Sequence, residues 1–573
     1  MVKIILKNDS KHVRYIFDTI FSIMGYCYEF VDKIPQCEDS ANIYIYYGKE
    51  IFKCENHNIV SIYNSSDEIY RIHATGSINL EFIDEPIPVF YDQLKKLSDI
   101  PIHLYQNGNI AVSKANYDGL LNIVIGFDFI KTILFFLTRA EEIQTYNNDK
   151  LGRFSSSQSI LSKYKLYDKP LIDIYLTFFH NIINQFVENG HATVIRKSLW
   201  PEGKKFGICL THDVDKVYAR SLFGFTFWIV QLMKGLLLFD FRNVKRSFNK
   251  CKRMALIKND PYWNFKKWVE LERQFGYRST FFFLARKKRL LARYKDLRYS
   301  LNQPKVVKAL NYLCKCGWEI GLYGDLDSYL DSDKLKNEKI RLENIVNTKI
   351  TGIRQHYLRV KLPHSWQIQQ DVGFLYDSTL GWHDSIGFRC GMSFPFHPFN
   401  ISTNEKMSLM EIPLAIEEPI LFKSKQFAHS KKSITEECKK IFKTAERLGS
   451  LINLLWCQPV LDEIDFPHRK NVYKNLLNFF QNKNVFVGSA KDIFEWWKKR
   501  ESAKLVNQKI DEHGISWQLI TDCEVFDFNL EIECKRKYRI NISNKDINYT
   551  IKENNIQFKR LKKDTSITIS LSF

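Results

Sequence analysis

The sequence predicts an α/β protein: a distorted β/α barrel, preceded by a small α/β domain and followed by a small antiparallel β domain. Apolar strand-like runs alternate with helical stretches from about residue 200 to 500, as in a parallel sheet with crossover helices. From residue 515, apolar and polar residues alternate, as in antiparallel strands. The chain of 573 residues is too long for one core. We expect a first domain at 1–150, a helical connector at 151–199, the barrel at 200–501 and the β domain at 502–573.

Each predicted domain has its own elements. The first domain has strands at 2–6, 43–47, 78–82 and 121–125 and helices at 12–25 and 129–144. An apolar helix at 171–187 follows Pro170 in the connector. The clearest barrel strands lie at 206–210, 279–284, 318–322, 351–354 and 451–456, with helices at 304–316, 433–448 and 491–500. The last domain has strands at 517–520, 525–532, 538–542 and 566–573.

Composition and charge limit the class of protein. With 45% apolar residues the chain is globular and not disordered. A net charge of +20 fits an anionic partner, such as an acidic glycan or an anionic membrane surface. The abundance of Lys, Asn, Ile, Tyr and Phe is also what AT-rich coding produces, and we favour that explanation and expect no nucleic-acid partner. The twelve cysteines form no CxxC pair, which indicates buried thiols in a reducing compartment.

The sequence also bears on location. The first residues lack the pattern of a signal peptide. The most apolar later run, 223–241, is interrupted by Gln231 and Lys234, so we expect no transmembrane segment. This run predicts either a buried helix or an interfacial helix, and we favour the buried one. The expected location is therefore the cytoplasm, with peripheral membrane contact as the alternative use of this helix.

The stretch FGICLTHDVD at 206–215 is the most informative part of the sequence. It places an imidazole and two carboxylates, His212, Asp213 and Asp215, at the end of a predicted buried strand. Many α/β enzymes place a metal and a general base in this way. The alternative is structural: the two acids would cap a helix that begins near Lys216.

Four further motifs follow predicted strands in order. They are EIGLYGDLDSY at 319–329, GIRQHY at 352–357, YDSTLG at 376–381 with GFRCG at 387–391, and LLWC at 454–457. This ordered set resembles the polysaccharide deacetylase family, the carbohydrate esterases with a nodulation-type deacetylase domain. The resemblance covers about residues 200–500. It is greatest to a bacterial subgroup with an extra N-terminal domain, which would account for residues 1–190.

The resemblance implies a hydrolase of non-peptide C–N bonds or of esters on a sugar. A divalent metal, zinc or similar, would activate water, since such an ion lowers the pKa of bound water to about 7. Carried over to this chain, Asp213 is the base, Asp215 is a metal ligand and His212 is a further ligand. Arg354 and His356 would act beside them at the catalytic site, unless they pair with an acid such as Asp377 to stiffen the barrel rim.

The chain departs from the family where the family has histidines. Tyr323 and Asp327 occupy the two positions of the second motif, and Cys457 occupies that of the catalytic acid. A neutral Tyr is a poor ligand for a divalent ion, and Cys does not form a cationic acid as His does. Asp325 or Asp327 would supply an oxygen ligand in a rearranged site, with Asp327 the one we assign to the metal, although both are also typical turn residues.

Three hypotheses follow. The first is an active metal-dependent deacetylase with a rearranged site, in which His383 is one more candidate imidazole. The second is a pseudoenzyme that binds glycan without hydrolysis. The third is a structural role in a glycan-assembly complex. The expected partner is a carbohydrate or a lipid-linked glycan. Its contacts would come from aromatic, basic and polar side chains: Tyr323, Asp325, Arg354, Trp366, Asp377, Trp382 and Arg389.

Overall fold

The computed structural model shows a mixed α/β protein with a curled parallel sheet at its centre. It describes residues 1–573 except 36–38, 51, 53, 65–73, 79–86, 91–111, 118–119, 144–148, 191, 220–221, 257–259, 286–298, 424–430, 512–513 and 545. Most of the strand predicted at 78–82 lies outside the described residues, as does the end of the helix predicted at 129–144.

The N-terminal part contains a six-stranded sheet in the order β2-β1-β3-β4-β8-β7, in which only the β7–β8 pair is antiparallel. Helices α1 and α2 contact each other, and α5 contacts α1. Arg139, at a φ of 55°, separates α2 from α3. The elements are β1 Val2–Leu6, α1 Lys11–Met24, β2 Tyr28–Phe30, β3 Asp39–Gly48, β4 His57–Tyr63, β5 Ala74–Ile78, β6 Ile87–Phe90, β7 Val112–Tyr117, β8 Leu120–Ile125, α2 Phe129–Leu137, α3 Ala140–Ile143, α4 Ile160–Lys163 and α5 Leu171–Glu188.

The central sheet is parallel and has the order β17-β14-β13-β12-β11-β10-β19-β18. Its middle strand, β10, is buried along its whole length and also pairs with β20 through its first residues. The strands are β10 Phe206–Val214, β11 Thr280–Leu284, β12 Glu319–Gly324, β13 Gly352–Gln355, β14 Tyr376–Asp377, β17 Met410–Glu411, β18 Ile416–Glu417, β19 Leu451–Leu455 and β20 Val485–Gly488. A separate hairpin joins β15 Phe399–Asn400 to β16 Glu405–Lys406.

One short segment bridges the two ends of this sheet. Residues 410–412 pair with β14, where the Ile412 N–H donates to the Asp377 carbonyl at 2.8 Å. Residues 415–417 pair with β19, where the Ala415 N–H donates to the Asn453 carbonyl at 3.1 Å. The sheet therefore curls round on itself, and the carboxyl ends of its strands face a common region, as the strand-helix alternation predicted.

Helices follow most of the central strands. They are α6 Leu222–Leu237, α7 Phe241–Leu256, α8 Phe265–Arg273, α9 Pro304–Cys316, α10 Ser332–Val346, α11 His364–Asp371, α12 Glu418–Lys423, α13 Lys431–Leu448, α14 Arg469–Gln481 and α15 Ala490–Ser502. Helix α9 begins with Pro304 and ends at Gly317, which has a φ of 84° and so suits a glycine. The predicted helices at 304–316, 433–448 and 491–500 correspond to α9, α13 and α15.

The C-terminal part forms two four-stranded antiparallel sheets, β21-β22-β27-β24 and β25-β26-β23-β9. The strands are β21 Lys504–Asp511, β22 Gly514–Ile520, β23 Val525–Glu533, β24 Arg539–Ile542, β25 Tyr549–Lys552, β26 Asn555–Leu561 and β27 Ser566–Ser572. The strand β9, Val194–Lys197, comes from the predicted helical connector and pairs with β23. The connector is therefore partly a strand, and the predicted domain limits stay a prediction.

The apolar run at 223–241 is not buried, so our preference for a buried helix was wrong. It forms α6 and the turn before α7, and the side chains of Leu237, Leu238, Phe239 and Phe241 are 76–80% exposed. The sequence did not reveal this exposure, because an apolar run of this length fits a buried helix and an interfacial helix equally well. None of the helices in the described part of the chain has the length and hydropathy that crossing a bilayer requires.

A buried arginine joins three parts of the chain. The Arg500 guanidinium on α15 donates to the carbonyls of Ser22 and Ile23 at the end of α1, at 2.6 and 2.9 Å. It also donates to the carbonyls of Lys197 and Ser198, at 3.1 and 2.7 Å. Burial lowers the pKa of Arg500 to about 10, which leaves it charged at neutral pH. The guanidinium therefore connects α1 of the N-terminal part and the strand β9 to helix α15 of the barrel.

We predict that Arg500→Lys lowers the free energy of unfolding by about 2–4 kcal/mol, because an ammonium group cannot reach four carbonyls in the planar geometry of a guanidinium. Lys498→Arg, at an exposed position of the same helix, is the matched control and should change stability by less than about 0.5 kcal/mol. Urea denaturation measures both. Equal stability of Arg500→Lys and the wild type would show that the junction does not depend on this side chain.

Candidate functional site

The ends of four central strands bring polar side chains together. β10 carries Asp213, β12 carries Tyr323, β13 carries Arg354, and Glu417 ends β18. Tyr323 and Arg354 are register partners in the β12–β13 pair. Since parallel strands end at the same edge of a sheet, residues that are far apart in sequence meet here. The sequence predicted this meeting for Asp213, Tyr323 and Arg354 and missed Glu417.

The centre of the site is a buried ion pair. The Arg354 guanidinium donates to Asp213 Oδ1 at 2.9 Å and to Thr211 Oγ1 at 2.8 Å. It also donates to the Ser378 carbonyl and hydroxyl, each at 2.9 Å, and it lies 4.6 Å from the centre of the Phe282 ring. Arg354 therefore binds Asp213 and not Asp377, the alternative partner considered from the sequence.

The surroundings of the Asp213 carboxyl group disfavour the loss of its proton. Burial raises its pKa, and the charge of Arg354 together with hydrogen bonds from Arg354 and Tyr323 opposes this only in part. The nearby Asp215 charge raises the pKa further. The Asp213 carboxylate is thus oriented by two partners, as a general base requires, but its surroundings disfavour the charged form.

Asp215 and His356 form the outer part of the site. His356 Nε2 lies 3.3 Å from Asp215 Oδ1, and the Asp215 side chain is 29% exposed. The imidazole packs edge-on against Tyr323 and stacks on Tyr357, with ring centroids 4.8 and 4.2 Å apart. Tyr357 and Leu358 have φ values of 60° and 55°, which is strained for bulky residues. Such strain is found most often where a loop must present a side chain in one orientation.

Two neighbouring glutamates, Glu417 and Glu418, add further acidic groups to the site. Burial, Asp213 and Glu418 raise the pKa of Glu417 to about 8. Burial raises the pKa of Glu418 to about 7, although Arg469 binds this carboxylate directly. Burial and the four carboxylates raise the pKa of Cys457 well above the thiol range, so Cys457 is a neutral thiol at neutral pH. It therefore supplies neither a thiolate ligand nor a cationic acid.

His212 does not face this group. Its Nδ1 donates to the Trp456 carbonyl at 2.7 Å, and its Nε2 donates to Glu272 Oε1 at 2.7 Å. His212 and Glu272 are fully buried, and the indole of Trp268 lies 4.1 Å from the imidazole centre. Although burial disfavours the Glu272 carboxylate, the His212 charge and hydrogen bonds from three side chains lower its pKa. Both nitrogens of His212 are occupied, which does not fit the predicted ligand role.

Asp325 and Asp327 behave as loop residues. Asp325 is buried, and its Oδ1 accepts a hydrogen bond from the Leu326 N–H at 2.8 Å. Asp327 is 56% exposed and lies 3.5 Å from both Lys334 and Arg359. These contacts match the turn explanation. Asp327 is thus held at the surface by two cations, which does not fit a ligand that shares an ion with Asp215.

The other predicted sugar contacts are buried in the structure. Arg389 donates to both Glu142 oxygens at 2.8 and 2.7 Å, so it connects the barrel to the N-terminal part. Trp382 is 2% exposed and stacks on Phe154. Trp366 donates to Glu411, and Asp377 accepts from Thr379. None of these four predicted contacts presents an open surface, and their roles towards a sugar stay predictions.

The donor set does not fit the predicted divalent metal. Tyr323 is a neutral phenol, because burial and the charges of Asp213 and Asp215 raise its pKa well above the usual value. Within the described ranges, no group of three or more His, Cys, Asp and Glu side chains is arranged to hold a metal ion. Of the predicted ligands, only Asp215 has a partly exposed carboxylate at the strand end. These side chains therefore do not support a metal-activated reaction at this site.

Sequence reasoning missed Glu417, Glu418 and Arg469. A usable signal was present, because EIPLAIEE at 411–418 ends in two acids after an apolar run. The partner Arg469 lies 51 residues from Glu418, and no local pattern connects them. A cavity of about 520 Å³ elsewhere in the protein is lined by residues of α13 and α14 and includes none of the acids described above.

Comparison with protein families gives one match. Residues 2–188 match the model of a family described as a family of unknown function, DUF7033. A comparison with curated proteins found no match.

Comparison with solved structures gives distant likenesses. A putative polysaccharide deacetylase from Mycobacterium smegmatis is 16% identical over 55% of this chain and 96% of its own, with a TM-score of 0.36. Agd3, described as a novel carbohydrate deacetylase, is 8% identical over 100% of this chain and 98% of its own, with a TM-score of 0.41. A CE4 family pseudoenzyme from Bacillus anthracis is 8% identical over 51% of this chain and 66% of its own, with a TM-score of 0.28.

The buried ion pair makes a stability prediction. Arg354→Met should lower the free energy of unfolding by about 3–5 kcal/mol, because it leaves Asp213 buried without its partner. Adding Asp213→Asn to the same chain removes the stranded charge and should recover part of the loss. Denaturant unfolding of the two single variants and the double variant measures the coupling. Additive losses would show that the two side chains do not interact.

The raised pKa of Glu417 makes a pH prediction. Its pKa of about 8 lies above the ordinary 4.5, so between these values the folded chain binds more protons than the unfolded chain. The contribution of Glu417 to the free energy of unfolding is therefore fully present below pH 4.5, and it is lost as the pH rises to 8. Since Glu417 is only half-buried, we expect Glu417→Gln to remove about 1–3 kcal/mol of this decline. Denaturant unfolding at pH 5 and 8 measures it. The exposed Glu405→Gln is the control and should leave the pH slope unchanged.

Proposed function

We propose that this chain is a deacetylase-type barrel protein that binds a carbohydrate without metal-dependent hydrolysis. The resemblance supplies the substrate class, because five motifs follow the barrel strands in the order of the polysaccharide deacetylase family. The proposal that this chain lacks metal-dependent hydrolysis is supported by the side chains at the three positions where the resembled family has histidines. Tyr323 is a neutral phenol, Cys457 is a neutral thiol, and Asp327 is paired at the surface with Lys334 and Arg359.

The remaining groups suit sugar hydroxyls. Asp215 offers a partly exposed carboxylate, which accepts hydrogen bonds from hydroxyl groups, and His356 Nε2 lies 3.3 Å from its Oδ1. Tyr357 supplies an aromatic face next to them. Asp213 is held behind this layer by Arg354, where it fixes the site without reaching solvent.

The test combines binding with turnover. Purified full-length protein is titrated calorimetrically with a panel of N-acetylated and O-acetylated oligosaccharides, and acetate release is measured with added zinc and with EDTA. We expect binding of a member of the panel, no acetate release, and an affinity that EDTA does not change. Asp215→Asn should weaken binding at least about tenfold, since a charge-assisted hydrogen bond contributes about 1.5–3 kcal/mol and about 1.4 kcal/mol corresponds to a factor of ten.

Asp327→Asn is the matched control, because it makes the same change at an exposed loop position, and it should leave the affinity unaltered. Acetate release that EDTA abolishes and Asp215→Asn removes would contradict the proposal and restore the active metal-dependent enzyme. Acetate release that persists in EDTA and disappears in His356→Gln would instead indicate that the Asp215–His356 pair acts as a general base without metal.

A further inference from the structure

The helical hairpin formed by α6 and α7 exposes an unusual amount of apolar surface. Met233, Leu236, Leu237, Leu238, Phe239, Phe241 and Phe248 are all more than half exposed. Five of the seven lie at residues 236–241, at the turn between the helices. Scattered exposed apolar residues are ordinary, but a contiguous apolar patch marks an interaction surface.

The turn holds this patch in a defined shape. The Leu238 and Asp240 N–H groups donate to the carbonyls of Lys234 and Gly235, at 3.0 and 2.9 Å. The Asp240 carboxylate accepts from the Asn243 N–H at 3.1 Å, which starts α7. Phe239 has a φ of 51° and is 80% exposed, so its side chain projects from the turn into solvent. The patch is therefore a folded tip and not a frayed end.

Positive charge surrounds the apolar tip. Residues 222–256 contain seven Lys and Arg residues and one acid, Asp240. The side chains of Lys234, Arg242, Lys245 and Lys252 are exposed. An apolar tip with a basic surround is the pattern of elements that lie in the interface of an anionic membrane.

The hairpin is anchored to the loops that carry the site. Helix α6 begins eight residues after Val214, the last residue of β10. At the other end, Arg253 on α7 donates to Asp462 and Asp465 at 2.5 and 3.1 Å. These acids lie in the loop that follows Cys457. The hairpin therefore leaves the barrel at the edge where the central strands end and where the acids of the candidate site lie.

We propose that the α6–α7 hairpin docks this protein on an anionic lipid surface, with the apolar side chains of Leu236, Leu237, Leu238, Phe239 and Phe241 inserted among the acyl chains and the basic residues against the headgroups. The charge argues for lipid over a second copy of the chain, because the exposed cations Lys234, Arg242, Lys245 and Lys252 of two hairpins would repel one another. A bilayer also receives a protruding tip without a complementary groove. Docking would place the barrel edge near the membrane surface, and it does not depend on the proposed carbohydrate binding.

Flotation of the full-length protein with lipid vesicles tests this proposal. Vesicles that combine phosphatidylcholine and phosphatidylglycerol should bind the protein at least about tenfold more tightly than phosphatidylcholine alone, and salt should weaken the binding. Leu237→Ser with Phe239→Ser should lower binding about tenfold or more. Arg242→Gln with Lys245→Gln should remove most of the preference for anionic vesicles.

Because the substituted residues are exposed, the variants should keep the wild-type circular dichroism and thermal midpoint. Ile464→Ser is the matched control, since Ile464 is 68% exposed and lies outside the hairpin, and it should bind as the wild type does. Brominated lipid should quench the added fluorescence of Phe239→Trp, which reports insertion independently of affinity. Three results would each overturn the proposal: no vesicle binding by the wild type, full binding by the double serine variant, or self-association through the tip that vesicles do not compete with.

Discussion

The site depends on a guanidinium buried at the centre of the curled sheet. Arg354 reaches from β13 to Thr211 and Asp213 on β10, and to Ser378 beyond β14. It thereby links three strands of the sheet. Burying a charge is costly unless it has a close partner and satisfied hydrogen bonds, and Arg354 has both. The ion pair holds the Asp213 carboxylate in one orientation at the end of β10.

Charge balance explains the rest of the cluster. Asp213, Asp215, Glu417 and Glu418 gather around Cys457, and Arg354 and Arg469 bind Asp213 and Glu418 directly. Burial raises the pKa values of Asp213, Glu417 and Glu418, and neighbouring acids raise those of Asp213 and Glu417 further. A bound divalent cation would offset the charge of these acids, but among the described residues no group of three or more His, Cys, Asp and Glu side chains is arranged to hold one. The cluster instead relieves its charge by keeping protons.

The features that the sequence predicted depend on local patterns, whereas those that it did not predict depend on contacts between residues far apart in the chain. Long strands and helices such as β10 and α9 were predicted, because periodicity and caps are local. The convergence of Asp213, Tyr323 and Arg354 followed from the rule that parallel strands end at one edge. By contrast, β14, β17 and β18 have two residues each, which is too short to show the alternation that predicts a strand. The partners of His212 and Arg389 come from residues 60 and 247 positions away, so no spacing indicates them. The exposure of α6 depends on what covers it, which hydropathy alone does not reveal.

The metal content of the purified protein distinguishes a carbohydrate-binding site from a site of metal-activated hydrolysis. We expect purified full-length protein, dialysed against excess zinc and then against metal-free buffer, to retain well below one equivalent of divalent metal per chain by mass spectrometry. The reason is that Asp215 lacks two further donors of suitable charge and position. One equivalent of bound metal, lost on Asp215→Ala, would contradict the account and return the site to metal-activated hydrolysis.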